Sequence, residues 1–215
     1  MNDKDNNSEK VEDTNPGMTD SIGFDVSGHI LIRDKESGEE LVNKRNAIHY
    51  GNLGYLISQA LGNQDNKIIH FMAFGNGATS VDSSGKVIYK STNTSESRET
   101  SASLYRKTFA KVVSNTAQNS DQASNKLEVI EGSGFTDMKI TCTLGYAEPA
   151  DQELFDSSTD NEGDYIFDEL GLYSFPTDGT NITTSKMLTH VVFHPVQKSQ
   201  NRIIEIIYTV RIQLS

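Results

Sequence analysis

The chain reads as an all-β protein, an antiparallel β-sandwich with one packed α-helix and long polar loops. Three observations carry that expectation. The C-terminal stretch "NRIIEIIYTVRIQLS" places Ile204, Ile206, Tyr208, Val210, Ile212 and Leu214 at period two, the spacing of one face of a strand. Short apolar runs recur through the rest of the chain, separated by clusters of Gly, Ser, Asn and Asp. One stretch alone changes to helical spacing.

In chain order, residues 1–20 hold six acidic side chains, two lysines and almost nothing large and apolar. Such a segment buries too little surface to offset the entropy of ordering. It is expected to be a disordered acidic arm ahead of a single domain, 21–215. "HILIRDKESGEELV" (29–42) reads as a hairpin, with the turn in its charged, Gly-containing centre. In "NAIHYGNLGYLISQALGN" the apolar residues Leu53, Leu56, Ile57, Ala60 and Leu61 follow the i, i+3, i+4, i+7, i+8 pattern, so a helix is expected over about 47–61. Gly62 and Asn63 end it. Thereafter "KIIHFMAFG", "KVIYK", "LYRKTFAKVV", "KLEVIEG", "DMKITCTLGY", "YIFDELGLYSF" and "KMLTHVVFHPV" read as strands. The tally is about nine strands, with Greek-key-like order. Three polar connections, 91–103, 114–125 and 147–164, are longer than compact domains usually carry. They are expected to reach neighbouring subunits.

Composition narrows the function. The net charge is −11, which argues against a protein that holds nucleic acid by bulk charge. The single Cys142 excludes an intramolecular disulfide and reads as a buried structural thiol. No run approaches the ~18 apolar residues of a membrane span. The polar, acidic N-terminus is the opposite of a signal peptide, so the chain is expected to be soluble and made in the cytoplasm. A hydrophobic content of 35% and a mean hydropathy of −0.51 point to a lean core, or to one completed by neighbours.

The candidate chemical motifs are weak. "GNG" at 75–77 lacks the third glycine of a dinucleotide loop, since Ser80 stands there, and no helix follows; a tight turn after a strand is expected. His190 and His194 lie four apart in a β-branched run ending in Pro195. Strand alternation would place them on one face about 13 Å apart, too far to share a zinc ion. Asp156, Asp160, Glu162 and Asp164 crowd an acidic loop, but the EF-hand register fails at Tyr165 and Gly171. No GxSxG elbow occurs. No enzyme, cofactor or metal is expected.

Asp168 and Glu169 interrupt the apolar "YIFDELGLYSF". Alternation would send them to opposite faces, which makes a poor paired-carboxylate site. Asp168 is expected on the solvent side. Glu169 is expected to be buried and paired, with backbone N–H groups or a cation such as Lys198 or Arg202 as its partners. Close backbone packing is expected at Gly171.

In combination these segments resemble virion structural proteins of contractile-tailed bacteriophages. The resemblance rests on Glu169-Leu170-Gly171-Leu172, then Leu188, the Pro195-Val196-Gln197-Lys198 turn and the long terminal strand 203–214. A hairpin, an Asn-Ala-Ile-His helix start and a GNG strand end in the N-terminal half are similar too. The resemblance spans most of residues 28–214. It implies a non-enzymatic, homo-oligomeric subunit of the neck or collar, tail or baseplate, located in the virion. Its partners would be copies of itself in a ring or cluster and other virion proteins, with no direct nucleic-acid or membrane contact. Glu169, Gly171, Pro195 and Lys198 would be structural or assembly residues, with Glu169 anchoring geometry near the Pro195 turn. A capsid decoration or whisker protein is the alternative within that class. A carbohydrate- or receptor-binding sandwich is the alternative outside it; the absence of Trp, and Tyr and Phe positions that mostly read as core, argue against that one.

Overall fold

The computed structural model describes residues 23–64, 68–94, 102–114, 125–146, 148–149 and 165–214. The arm at 1–20, much of the three long connections and the acidic loop containing Asp160 lie outside the described residues.

The elements are β1 (Phe24–Asp34), β2 (Glu40–Arg45), β3 (Ala47–Ile48), α1 (Tyr50–Leu61), β4 (Ile69–Gly75), β5 (Thr79–Val81), β6 (Val87–Tyr89), β7 (Lys107–Val112), β8 (Asn125–Glu131), β9 (Phe135–Leu144), β10 (Tyr165–Ser174), β11 (Thr189–Lys198) and β12 (Ile204–Leu214). They form two five-stranded antiparallel sheets. The first has the order β2-β1-β12-β9-β8 and the second β3-β11-β10-β4-β7; β5 and β6 make a separate hairpin. The strands that the sequence did not mark are β3 and β5, whose two or three residues are too short for periodicity, while β6 falls on the expected "KVIYK".

The sandwich follows from alternation. Val26, Ile30 and Ile32 of β1 and Ile204, Ile206, Tyr208 and Val210 of β12 point inward against Met72, Phe74, Leu170, Leu172 and Phe193 of the second sheet, all in one buried cluster. At about 25 cal/mol per Å² this apolar burial is the main favourable contribution to the fold. A smaller cluster of Phe71, Ala73, Leu104, Tyr173 and Met187 lies on the other side of the second sheet, so that sheet is covered on both faces there.

The helix starts later than its spacing suggests. Ala47 and Ile48 pair with His190 and Thr189 of β11 instead. His49 then caps the helix, its Nδ1 accepting the Asn52 N–H at 3.1 Å. The crossing from the first sheet (β2) to the second (β3) takes place at Asn46. Its backbone N–H donates to Gly28 O, and its Nδ2 donates to the buried Tyr208 hydroxyl. Gly28 is required here, because a Cβ would lie 1.8 Å from Asn46 Oδ1.

Pro195-Val196-Gln197-Lys198 is not a turn, as expected from the sequence, but part of β11. Proline is tolerated in strands whose outer side is unpaired. β3 covers only Thr189 and His190, which leaves that side of Pro195 without a ladder partner among the described residues. Lys44 Nζ serves the same open side by donating to Val192 O at 2.6 Å.

Candidate functional site: the buried carboxylates of β10

The acidic pair sits in a local irregularity of β10. Opposite it, the register with β11 runs from Phe167↔Val196 to Glu169↔Val192, so four steps on β11 span two on β10. Phe167, Leu170 and Leu172 all belong to the inner core, and an interval of three residues between the first two breaks strict alternation. Asp168 and Glu169 fall inside that interval. They converge on one segment rather than pointing to opposite faces. Asp168 is also buried, not on the solvent side.

Three successive backbone N–H groups meet the two carboxylates. Gly77 N donates to Glu169 Oε1 at 3.2 Å. Ala78 N donates to Asp168 Oδ1 at 3.0 Å and Thr79 N to Asp168 Oδ2 at 2.8 Å. The Thr79 hydroxyl also donates to Oδ2. From the segment entering β7, Arg106 N donates to Glu169 Oε1 at 2.8 Å and Tyr105 N to Oε2 at 2.9 Å. The buried His190 completes the set, with Nε2 3.0 Å from Glu169 Oε2.

The tautomer of His190 follows from its other nitrogen. Nδ1 lies 2.8 Å from the Asn93 backbone N–H, which can only donate. Nδ1 is therefore the acceptor, and Nε2 carries the proton it donates to Glu169. Each oxygen of Glu169 thus accepts two N–H groups. Burial acts to raise the pKa of this carboxyl, but the His190 hydrogen bond and the Arg106 and Tyr105 N–H groups outweigh it, and the pKa lies below the ordinary 4.5.

"GNG" belongs to this arrangement. A Cβ on Gly75 would lie 2.5 Å from Arg106 O and 2.6 Å from Glu169 Oε1, and one on Gly77 would lie 2.6 Å from Arg106 Cβ. The two glycines let the end of β4 press against the carboxylate and the segment entering β7. Gly171 has the same character, since a Cβ there would meet Thr189 O at 2.7 Å.

The other sequence candidates do not join the cluster. Glu169 faces His190, not the Pro195 stretch. Lys198 is buried elsewhere and donates to Ser199 O at 2.8 Å. Burial pushes its amine down to about 8, with Glu148 opposing and Arg202 adding to the shift. Arg202 binds Asp34 instead, at 2.7 Å. His194 is exposed and meets Tyr89, so the two histidines do not share one environment. Cys142 is fully buried and burial pushes its thiol up to about 12, as an inert core residue. His190, Tyr105 and Asn93 were not singled out in the sequence with Glu169; they lie up to 76 positions from it and nothing local links them. Chemically, the cluster clamps backbone. Asp168 and Glu169 are both saturated with protein donors and closed to solvent.

Scans against family models, curated proteins and solved structures found no match to this chain.

Proposed function

We propose that the chain is a structural subunit of a tailed-phage virion, which assembles with copies of itself as a ring or cluster in the neck–tail–baseplate apparatus. The observation that carries the assembly reading is an apolar surface on the inward side of the first sheet. Val129 of β8 pairs with Met138 of β9, and Leu127 with the fully buried Ile140, so both share the core-facing side. Yet Val129 is 63% exposed and Leu127 41%. Phe24 of β1 has the inward parity of Val26 and Ile30 and is 54% exposed. The second sheet does not cover these side chains. β8 is moreover an edge strand with no second neighbour among the described residues.

An uncovered inner face beside an unpaired edge is costly for a lone subunit and suited to strand addition or sheet stacking by a neighbour. The phage assignment rests on the resemblance of residues 28–214; the uncovered face supports the homo-oligomer. A decoration or whisker protein would use the same surface.

Light scattering on the purified chain over a concentration series tests the assembly. A mass that is a multiple of 23.7 kDa is expected, falling to that of one chain in Val129→Lys. A strict monomer at every concentration, together with absence of the chain from purified virions, sinks the reading.

A further inference from the structure

Tyrosine exposure departs from the expectation that the aromatic residues are mostly core. Tyr50, Tyr55, Tyr89, Tyr105 and Tyr146 all present large areas to solvent. Tyr50 is the most exposed at 62%, and it borders a groove of about 520 Å³. The groove lies at the corner where the chain crosses from β2 to β3. Asp25 and Ser27 of β1, Arg45 of β2, Asn46 and Thr94 supply its polar lining, and Val26, Gly28 and Ile48 its apolar part. A second concavity of about 350 Å³ shares Ser27, Gly28 and Arg45 and continues past His29, Thr209 and Arg211. Together they form an elongated trough, each part within the ~300–1,000 Å³ of small-molecule sites.

We infer that this trough is a binding site for an oligosaccharide. A sugar ring combines an apolar C–H face with a rim of hydroxyls that both donate and accept. The exposed Tyr50 ring offers the apolar face a flat partner on the first turn of a rigid helix. Asp25 offers acceptors, the Arg45 guanidinium offers donors in a planar fork, and the Ser27 and Thr94 hydroxyls offer both. Arg211 at the far end is already paired with Asp137 by two bonds of 2.7 and 2.8 Å, so the trough is not strongly cationic. That balance favours a neutral glycan over a polyanion. The trough's length favours a chain of sugars over a single one.

The site does not depend on the assembly reading, and its test is separate from particle mass. Saturation-transfer NMR on the full-length chain with chitotriose, maltotriose, lactose and sialyllactose is the experiment. Transfer to at least one neutral sugar is expected. Tyr50→Ala and Arg45→Ala, both at exposed positions, are each expected to weaken that binding by about tenfold with an unchanged melting temperature, while Tyr50→Phe retains it. Binding of sialyllactose alone would overturn the neutral-glycan assignment. No transfer to any member of the panel, or affinity indifferent to Tyr50→Ala, would overturn the site.

Discussion

Two regions of this sandwich reverse the usual rule of apolar inside and polar outside, in opposite senses. Around β10, two carboxylates and an imidazole are sealed from solvent. On the inward face of the first sheet, Phe24, Leu127 and Val129 remain in contact with it. The difference is one of satisfaction. Asp168 and Glu169 are surrounded by protein donors, so the buried carboxylates hold three chain segments at fixed positions. The apolar side chains at the β8 edge have no covering layer among the described residues, which is the surface the proposed assembly would bury. The first region is complete within the described residues and the second is open among them.

The largest expected effect tests the complete region. In Glu169→Gln an NH2 replaces one oxygen that accepts two N–H groups, which strands both donors. At about 1–3 kcal/mol per unsatisfied group, a loss of about 3 kcal/mol in chemical denaturation is expected. A change under about 1 kcal/mol would remove the clamp from the account. The pH dependence has a definite sign. Because the folded pKa of Glu169 lies below 4.5, its contribution is fully present above pH 4.5 and is lost as pH falls through the lower folded value. The acid limb of the stability profile should therefore flatten in Glu169→Gln.

Gly75→Ala comes next. The new methyl meets Arg106 O and the carboxylate that it would have to displace, and a loss of about 2 kcal/mol is expected by the same denaturation assay. A smaller effect of opposite sign is expected at Lys198. Its folded pKa of about 8 lies below the ordinary 10.5, so the charged form is disfavoured on folding and stability rises between about pH 8 and 10.5. Lys198→Met should raise stability at neutral pH by about 1 kcal/mol, with the gain fading toward pH 10.5. Val129→Lys has the smallest expected effect on the fold, within about 0.5 kcal/mol, because the side chain is exposed. Its consequence should be confined to assembly mass, which sharpens the contrast between the two regions.

Much of the scaffold was legible in the sequence. The alternation of 204–214 and the hairpin of 29–42 announced β12, β1 and β2, because a strand covered on one side repeats every two residues. The helix was legible apart from its start, where pairing of Ala47 and Ile48 with β11 overrides local spacing. Burial and pairing of Glu169 were legible too, since an acidic residue in an apolar strand needs partners. Backbone N–H groups were among the expected partners, but the segments that supply them, and His190, were not legible. The orientation of Asp168 depends on an irregularity that only the β10–β11 pairing reveals, and Pro195 suggested a turn because its open ladder side is a tertiary fact. The groove at Tyr50 is assembled from four elements and the segment at Thr94, and it leaves no local trace.

The clamp has a consequence for how much variation the molecule can absorb. Asn93 is tied to His190 and, through its amide, to Ser103 O at 3.0 Å; Leu104 is tied to the Tyr173 hydroxyl, and Tyr105 and Arg106 to Glu169. Both stems of the connection at 95–101 are thus fastened to the clamp. Each doubling of that connection adds only about 0.6 kcal/mol of closure entropy. The position is a natural port for grafting a reporter peptide, and a lineage of such proteins would be free to rewrite those residues while the stems stay as they are.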